Sequence, residues 1–136
     1  SGGLTIRGHI PGKDGIFAAS LLIEALSITG KSLSELLTEI QTKYGAYCMV
    51  EKNIPFSPEQ KATLMEKVLN QSKFPAFGLK LKRISDLDGL KIYFENDGWL
   101  SIRFSGTEPL LRIYAEADQE NTAMMLCHTM DDYLKL

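Results

Sequence analysis

The stretch Trp99-Leu100-Ser101-Ile102-Arg103-Phe104-Ser105-Gly106-Thr107-Glu108-Pro109-Leu110-Leu111-Arg112-Ile113-Tyr114-Ala115-Glu116-Ala117 decides how this chain folds. Apolar and polar residues alternate over 99–104 and again over 111–117, the period-two pattern of strands with one buried face. Ser-Gly-Thr and a proline between them form a compact loop, and this is ordinary turn chemistry. The loop also carries more than a turn requires. Arg103 and Arg112 stand at its two ends, and a guanidinium is a rigid fork of donors that fits phosphate or carboxylate. Ser105 and Thr107 add hydroxyls, and Gly106 lets backbone N–H groups approach an anion with no Cβ in the way. The loop therefore reads as a phosphate-binding segment.

Outward from it, segments 79–84 and 90–95 alternate in the same way. Asp86-Leu87-Asp88-Gly89 and Asn96-Asp97-Gly98 supply hairpin turns. Asp86 and Asp88 lack further acidic residues at the spacing of a calcium loop, so they read as turn residues. Asp118 is the expected cap of a last helix reaching about Tyr133. On the N-terminal side, Ser57-Pro58-Glu59-Gln60 signals a helix start, with Pro in the first turn and Gln at the capping-box position. That helix runs to about Asn70 and is expected to bury Leu64, Val68, Met65 and Leu69. Residues 44–56 look extended, with Tyr44, Ala46, Cys48 and Val50 on one face. Strand, helix, a run of antiparallel strands and a final helix make an α+β layering: an antiparallel sheet of about four to five strands with two helices on one face.

Residues 1–43 fall outside that layer. Residues 1–13 are polar and glycine-rich and read as a loop, with a short strand at Leu4–Ile6. Asp14-Gly15 opens an apolar segment from Ile16 to Ile28 whose only charge is Glu24, and Thr29-Gly30 stops it. A helix apolar around its whole circumference belongs inside a larger body. Ser32-Leu33-Ser34-Glu35 is a capping box, and Leu33, Leu36, Leu37 and Ile40 line one face of the next helix to Lys43.

The totals bound the function. With 136 residues there is room for one domain and an appendage. The net charge of −2 argues against nucleic acid, whose binders carry an excess of Lys and Arg. That makes the alternative reading of Tyr93, Trp99 and Phe104 with Lys91 and Arg103, an RNA-binding sheet, a poor match, because the alternation already explains the aromatics. No apolar run approaches the roughly 20 residues of a membrane span, and no signal-peptide pattern opens the chain. Cys48 and Cys127 read as two buried thiols of a cytoplasmic protein. His9 and Lys13, in the glycine-rich loop, are both capable of acid/base work, although a solvated loop lysine is the commoner case. The first residue is Ser rather than Met, which reads as a processed or tagged chain or as a piece of a longer one.

Two separated stretches share one resemblance. Arg103-Phe104-Ser105-Gly106-Thr107-Glu108-Pro109 resembles the phosphate-binding loop in the C-terminal domain of the α-D-phosphohexomutases, the phosphoglucomutase/phosphomannomutase superfamily. Ser1-Gly2-Gly3, running on to Gly8-His9-Ile10-Pro11-Gly12-Lys13-Asp14-Gly15-Ile16, is similar to the end of that family's third domain, where a sugar-binding Gly-Glu-x-Ser-Gly motif precedes a Lys-Asp-Gly motif and a helix.

The resemblance implies a C-terminal segment. Residues 1–43 would be the tail of the third domain, and residues 44–136 the phosphate-binding fourth domain, which has a TBP-like fold in that family. It implies an enzyme that interconverts hexose 1-phosphate and 6-phosphate. A phosphoserine and a Mg²⁺ site would lie in upstream domains, and a bisphosphate of the glucose 1,6-bisphosphate type would be the intermediate. The expected partners are a small-molecule hexose phosphate and the remaining domains of the same polypeptide, with no nucleic acid and no membrane. By resemblance, Arg103, Ser105, Gly106, Thr107, Arg112 and Glu108 would surround the non-reacting phosphate. Ser1 would contact sugar hydroxyls, and Lys13 and His9 would lie at the reacting end. The family loop often has Pro where Phe104 stands, and some relatives carry His at Gly3. Glu108 beside a dianion must turn away or pair with an arginine. Discrimination among glucose, mannose and N-acetylglucosamine would rest largely on the motif that ends in Ser1-Gly2-Gly3. The segment alone is expected to be inactive. A reading of another class is a non-catalytic α+β module that binds an anionic ligand or a protein partner.

Overall fold

The computed structural model describes residues 3–70 and 74–135. The chain divides into two compact units, Ser1–Gly45 and Ala46–Leu136.

The first unit holds two helices, α1 (Gly15–Thr29) and α2 (Leu33–Tyr44). Asp14 caps α1: one carboxylate oxygen accepts from the N–H groups of Ile16 and Phe17, each at 3.0 Å. Gly30, at φ 66°, closes the helix and donates to the Leu26 carbonyl. α2 opens with a full capping box, in which Ser32 accepts from the Glu35 N–H while Glu35 accepts from the Ser32 N–H. α1 has no buried residue, and Ile16, Ile23 and Ile28 are 84%, 66% and 77% exposed. Leu4–Ile6, expected as a short strand, pairs with no described strand and forms irregular backbone.

The second unit is one five-stranded antiparallel sheet with helices on one face. Its strands are β1 (Cys48–Pro55), β2 (Leu81–Ser85), β3 (Leu90–Phe94), β4 (Trp99–Phe104) and β5 (Leu110–Ala117). They lie in the order β1-β5-β4-β3-β2. The last three pairings are hairpin neighbours, and β1 closes the other edge by pairing Ile54 with Leu111 and Val50 with Ala115. α3 (Lys61–Leu69) and α4 (Glu120–Leu134) cover the face that carries Leu90, Ile92, Leu100, Ile102, Leu111 and Ile113, all essentially without exposure. This is the predicted α+β layering, with period-two burial along β3 and β5.

Several local expectations need correction. α4 begins at Glu120 after Gln119, so Asp118 lies one position too early to cap it. Pro58–Gln60 forms a 3-10 turn before α3, with the Gln60 side chain accepting from the Ser57 N–H at 2.8 Å. Leu64 and Val68 are buried, but Met65 and Leu69 are 42% and 56% exposed, because only one side of α3 meets the sheet and α4. Tyr44 ends α2 and Ala46 precedes β1, so neither belongs to the extended segment. Cys127 is buried, its thiol pushed up by desolvation, whereas Cys48 is only half-buried.

Candidate functional site

The β4–β5 connection is held at its base. Ser105 N–H donates to the Leu110 carbonyl at 2.8 Å, and Leu110 N–H donates to the Glu108 carbonyl at 2.8 Å. Above that base, the N–H groups of Gly106, Thr107 and Glu108 have no partner among the described residues, and neither do the hydroxyls of Ser105 and Thr107. Gly106, Thr107 and Glu108 are exposed, so these adjacent N–H groups face solvent and are open to an incoming anion. Gly106 is not required by the backbone: its φ lies outside the left-handed region and a Cβ there would meet open space.

The register places Arg103 directly opposite Arg112 across β4 and β5, and Arg112 opposite Asn53 of β1. Cross-strand partners share a face, so the two arginine side chains leave the sheet on the same face, the one turned away from the helices. Each is met by a carboxylate, Arg103 by Asp88 at 3.3 Å and Arg112 by Glu108 at 3.2 Å. The Tyr114 hydroxyl first, and Glu108 and Glu51 after it, raise the pKa of Arg112 further. Glu108 thus pairs with an arginine, one of the two arrangements it was expected to adopt.

On the other flank, the loop lines an open concavity of about 330 Å³. Residues 104–109 form one wall, and Phe56, Pro58 and Lys61 form the other. A hydrogen bond from the Phe56 N–H to the Pro109 carbonyl, 3.1 Å, ties the two walls, and Phe56 meets Phe104 edge to face at 5.5 Å. Ser105, Gly106, Thr107 and Glu108 come together at this concavity. Arg103 and Arg112 flank the loop from the strands and do not line it.

In the first unit, His9 and Asp14 come together, with Nε2 2.8 Å from the carboxylate oxygen that does not cap α1. The His9 ring also stacks on Phe17 at 4.0 Å. The His9 bond and then the Phe17 N–H hold the Asp14 carboxyl below the usual carboxylate range. The Lys13 stem crosses Gly3 so closely that a Cβ there would lie 2.2 Å from the lysine Cδ. Ser1 lies outside the described residues.

Two family models match the chain. One, described as phosphoglucomutase/phosphomannomutase, C-terminal domain, matches residues 51–132. The other, described as phosphoglucomutase/phosphomannomutase, alpha/beta/alpha domain III, matches residues 1–44. The chain belongs to the phosphoglucomutase/phosphomannomutase family. Similar relatives include a "Probable phosphoglucosamine mutase" of Methanosarcina acetivorans, 41% identical over 79% of this chain and 22% of the relative. A "Phosphoglucomutase/phosphomannomutase" of Thermococcus kodakarensis is 31% identical over 90% of this chain and 25% of the relative. The chain thus spans about a quarter of the length of the curated relatives it matches. The loop and the arginines at its ends were legible in the sequence. The opposing wall with Lys61 was not, because it reaches the loop only through the β1–β5 pairing.

Proposed function

We propose that this chain is the C-terminal part of a phosphohexomutase, and that it clamps the phosphate of a hexose phosphate that is not reacting. The observation that carries the reading is the loop itself: three successive open N–H groups and two open hydroxyls between a pair of arginines. Such an arrangement has nothing with which to break a bond. It can neutralise and orient a dianion, and in phosphoryl transfer positioning of this kind is a large part of catalysis. In this reading an arriving phosphate takes over the Arg103 guanidinium from Asp88, while Arg112 keeps Glu108 turned from the anion.

The complete polypeptide would interconvert the 1- and 6-phosphates of a glucose- or mannose-type sugar through a phosphoserine and a bisphosphate. The names of the relatives, mutases of glucose, mannose or glucosamine phosphates, support that class. His9, oriented by Asp14, and Lys13 would serve the reacting end, and Ser1 the sugar hydroxyls. Mg²⁺ would be held by another part of the polypeptide. Among the described residues no three His, Cys, Asp or Glu gather to hold a metal ion, so no step is assigned to it.

The test is kinetic. In the complete polypeptide, Arg103→Ala should lower kcat/KM about 10- to 100-fold, the loss of one charge-assisted phosphate contact. The purified 136-residue chain should show no mutase turnover. An Arg103→Ala enzyme with unchanged kcat/KM, or turnover by the chain alone, would overturn the assignment.

A further inference from the structure

Lys61 stands apart from the other described cations of the second unit. Lys52, Lys80, Lys82 and Lys135 each face a carboxylate, as do Arg103 and Arg112. Lys67 bonds the carbonyls of Tyr133 and Lys135, and Arg83 and Lys91 lie over the rings of Tyr93 and Trp99. The Lys61 ammonium has no carboxylate, carbonyl or ring partner among the described residues. It is also the cation that lines the concavity opposite residues 104–109.

The placement is built by the fold. Lys61 is the first residue of α3, directly after the Pro58–Gln60 turn. That turn follows Phe56, whose N–H is bonded to Pro109 and whose ring packs on Phe104. A lysine six residues past the end of β1 is thereby held across from open donors that belong to a loop more than forty residues later in the chain. The carboxylate in the same concavity, Glu108, is engaged by Arg112 and so leaves the lysine unneutralised. An ammonium with no counter-ion, facing open N–H and hydroxyl donors, leaves an excess of positive charge and hydrogen-bond donors for an incoming anion.

We propose that Lys61 is a further phosphate-binding residue of this chain, contacting the anion from the concave flank of the loop while the arginines act from the strand side. The assignment rests on the phosphate-loop reading above and adds a residue to it. A flexible point charge suits this place, because it can follow a tetrahedral anion without demanding a fixed approach.

The test is a titration of the ¹⁵N-labelled chain with inorganic phosphate, following the amides of Gly106, Thr107 and Glu108. The wild type should shift at those amides. Lys61→Gln should shift the same amides with an apparent Kd about tenfold weaker, the worth of one charge-assisted hydrogen bond. Lys61→Arg should recover most of the loss, and Lys80→Gln, the same charge change on a lysine paired with Glu95, should leave Kd unchanged. An unchanged Kd in Lys61→Gln, with the loop amides still responding, would overturn the Lys61 assignment and leave the phosphate loop standing. A wild type whose loop amides stay still would overturn both. An equal loss in Lys80→Gln would reduce the effect to net charge and also overturn the assignment.

Discussion

Asp14 does two things with one carboxylate: one oxygen caps α1 and the other fixes the His9 ring. Because its folded pKa is depressed, the cap is fully present above the unfolded value, near 3.9, and is lost as pH falls through the lower folded value. The expected outcome is that the amide protection of Ile16 and Phe17 holds from neutrality down to about pH 4 and collapses below it. Asp14→Ala should open the same turn at neutral pH, read by hydrogen exchange as lost protection of the same two amides. Protection of these amides that is indifferent to both changes would contradict the cap. Asp14-Gly15 as a helix start was legible from residue chemistry alone. The His9–Asp14 bond was not, since it depends on how a glycine-rich loop of five residues turns back on itself. Lys61 was invisible for a similar reason: in the sequence it is one more lysine near the start of a helix.

At the scale of the element, the β4–β5 hairpin and its neighbours could be read because period-two burial is strict where one face meets helices. The pairing of β1 with β5 could not, because nothing local in 48–55 specifies a partner sixty residues away. That pairing is what brings Phe56, Pro58 and Lys61 to the loop. Two glycines separate architecture from binding. Gly89 sits at φ 79°, and a Cβ there would come within 2.3 Å of the Ile102 carbonyl oxygen in the adjacent strand. Gly89→Ala is expected to cost about 2–3 kcal/mol or more, read as a lower urea midpoint, through backbone strain and a clash with fixed main chain. Gly106→Ala, facing open space, should leave the urea midpoint within about 0.5 kcal/mol of the wild type while weakening phosphate binding. The reverse pattern would mean that Gly106 serves the turn rather than the anion.

For the molecule as a whole, the two units differ in how their apolar residues are used. The second buries a continuous core between sheet and helices, including Phe77, Phe94, Leu126 and Met130. The first leaves α1 exposed along much of its length. The all-round apolar character of α1 was plain in the sequence, and no calculation of periodicity could have assigned it a face. The same division separates the proposed roles, with phosphate gripping in 46–136 and sugar and proton chemistry in the glycine-rich stretch before α1. The central claim concerns the first of these, and one titration meets it directly: glucose 1-phosphate added to the ¹⁵N-labelled chain, with every backbone amide followed. The account predicts saturable shifts concentrated at Gly106, Thr107 and Glu108 and their loss in Arg103→Ala. Shifts that leave those three amides still, or that persist unchanged without Arg103, would contradict it.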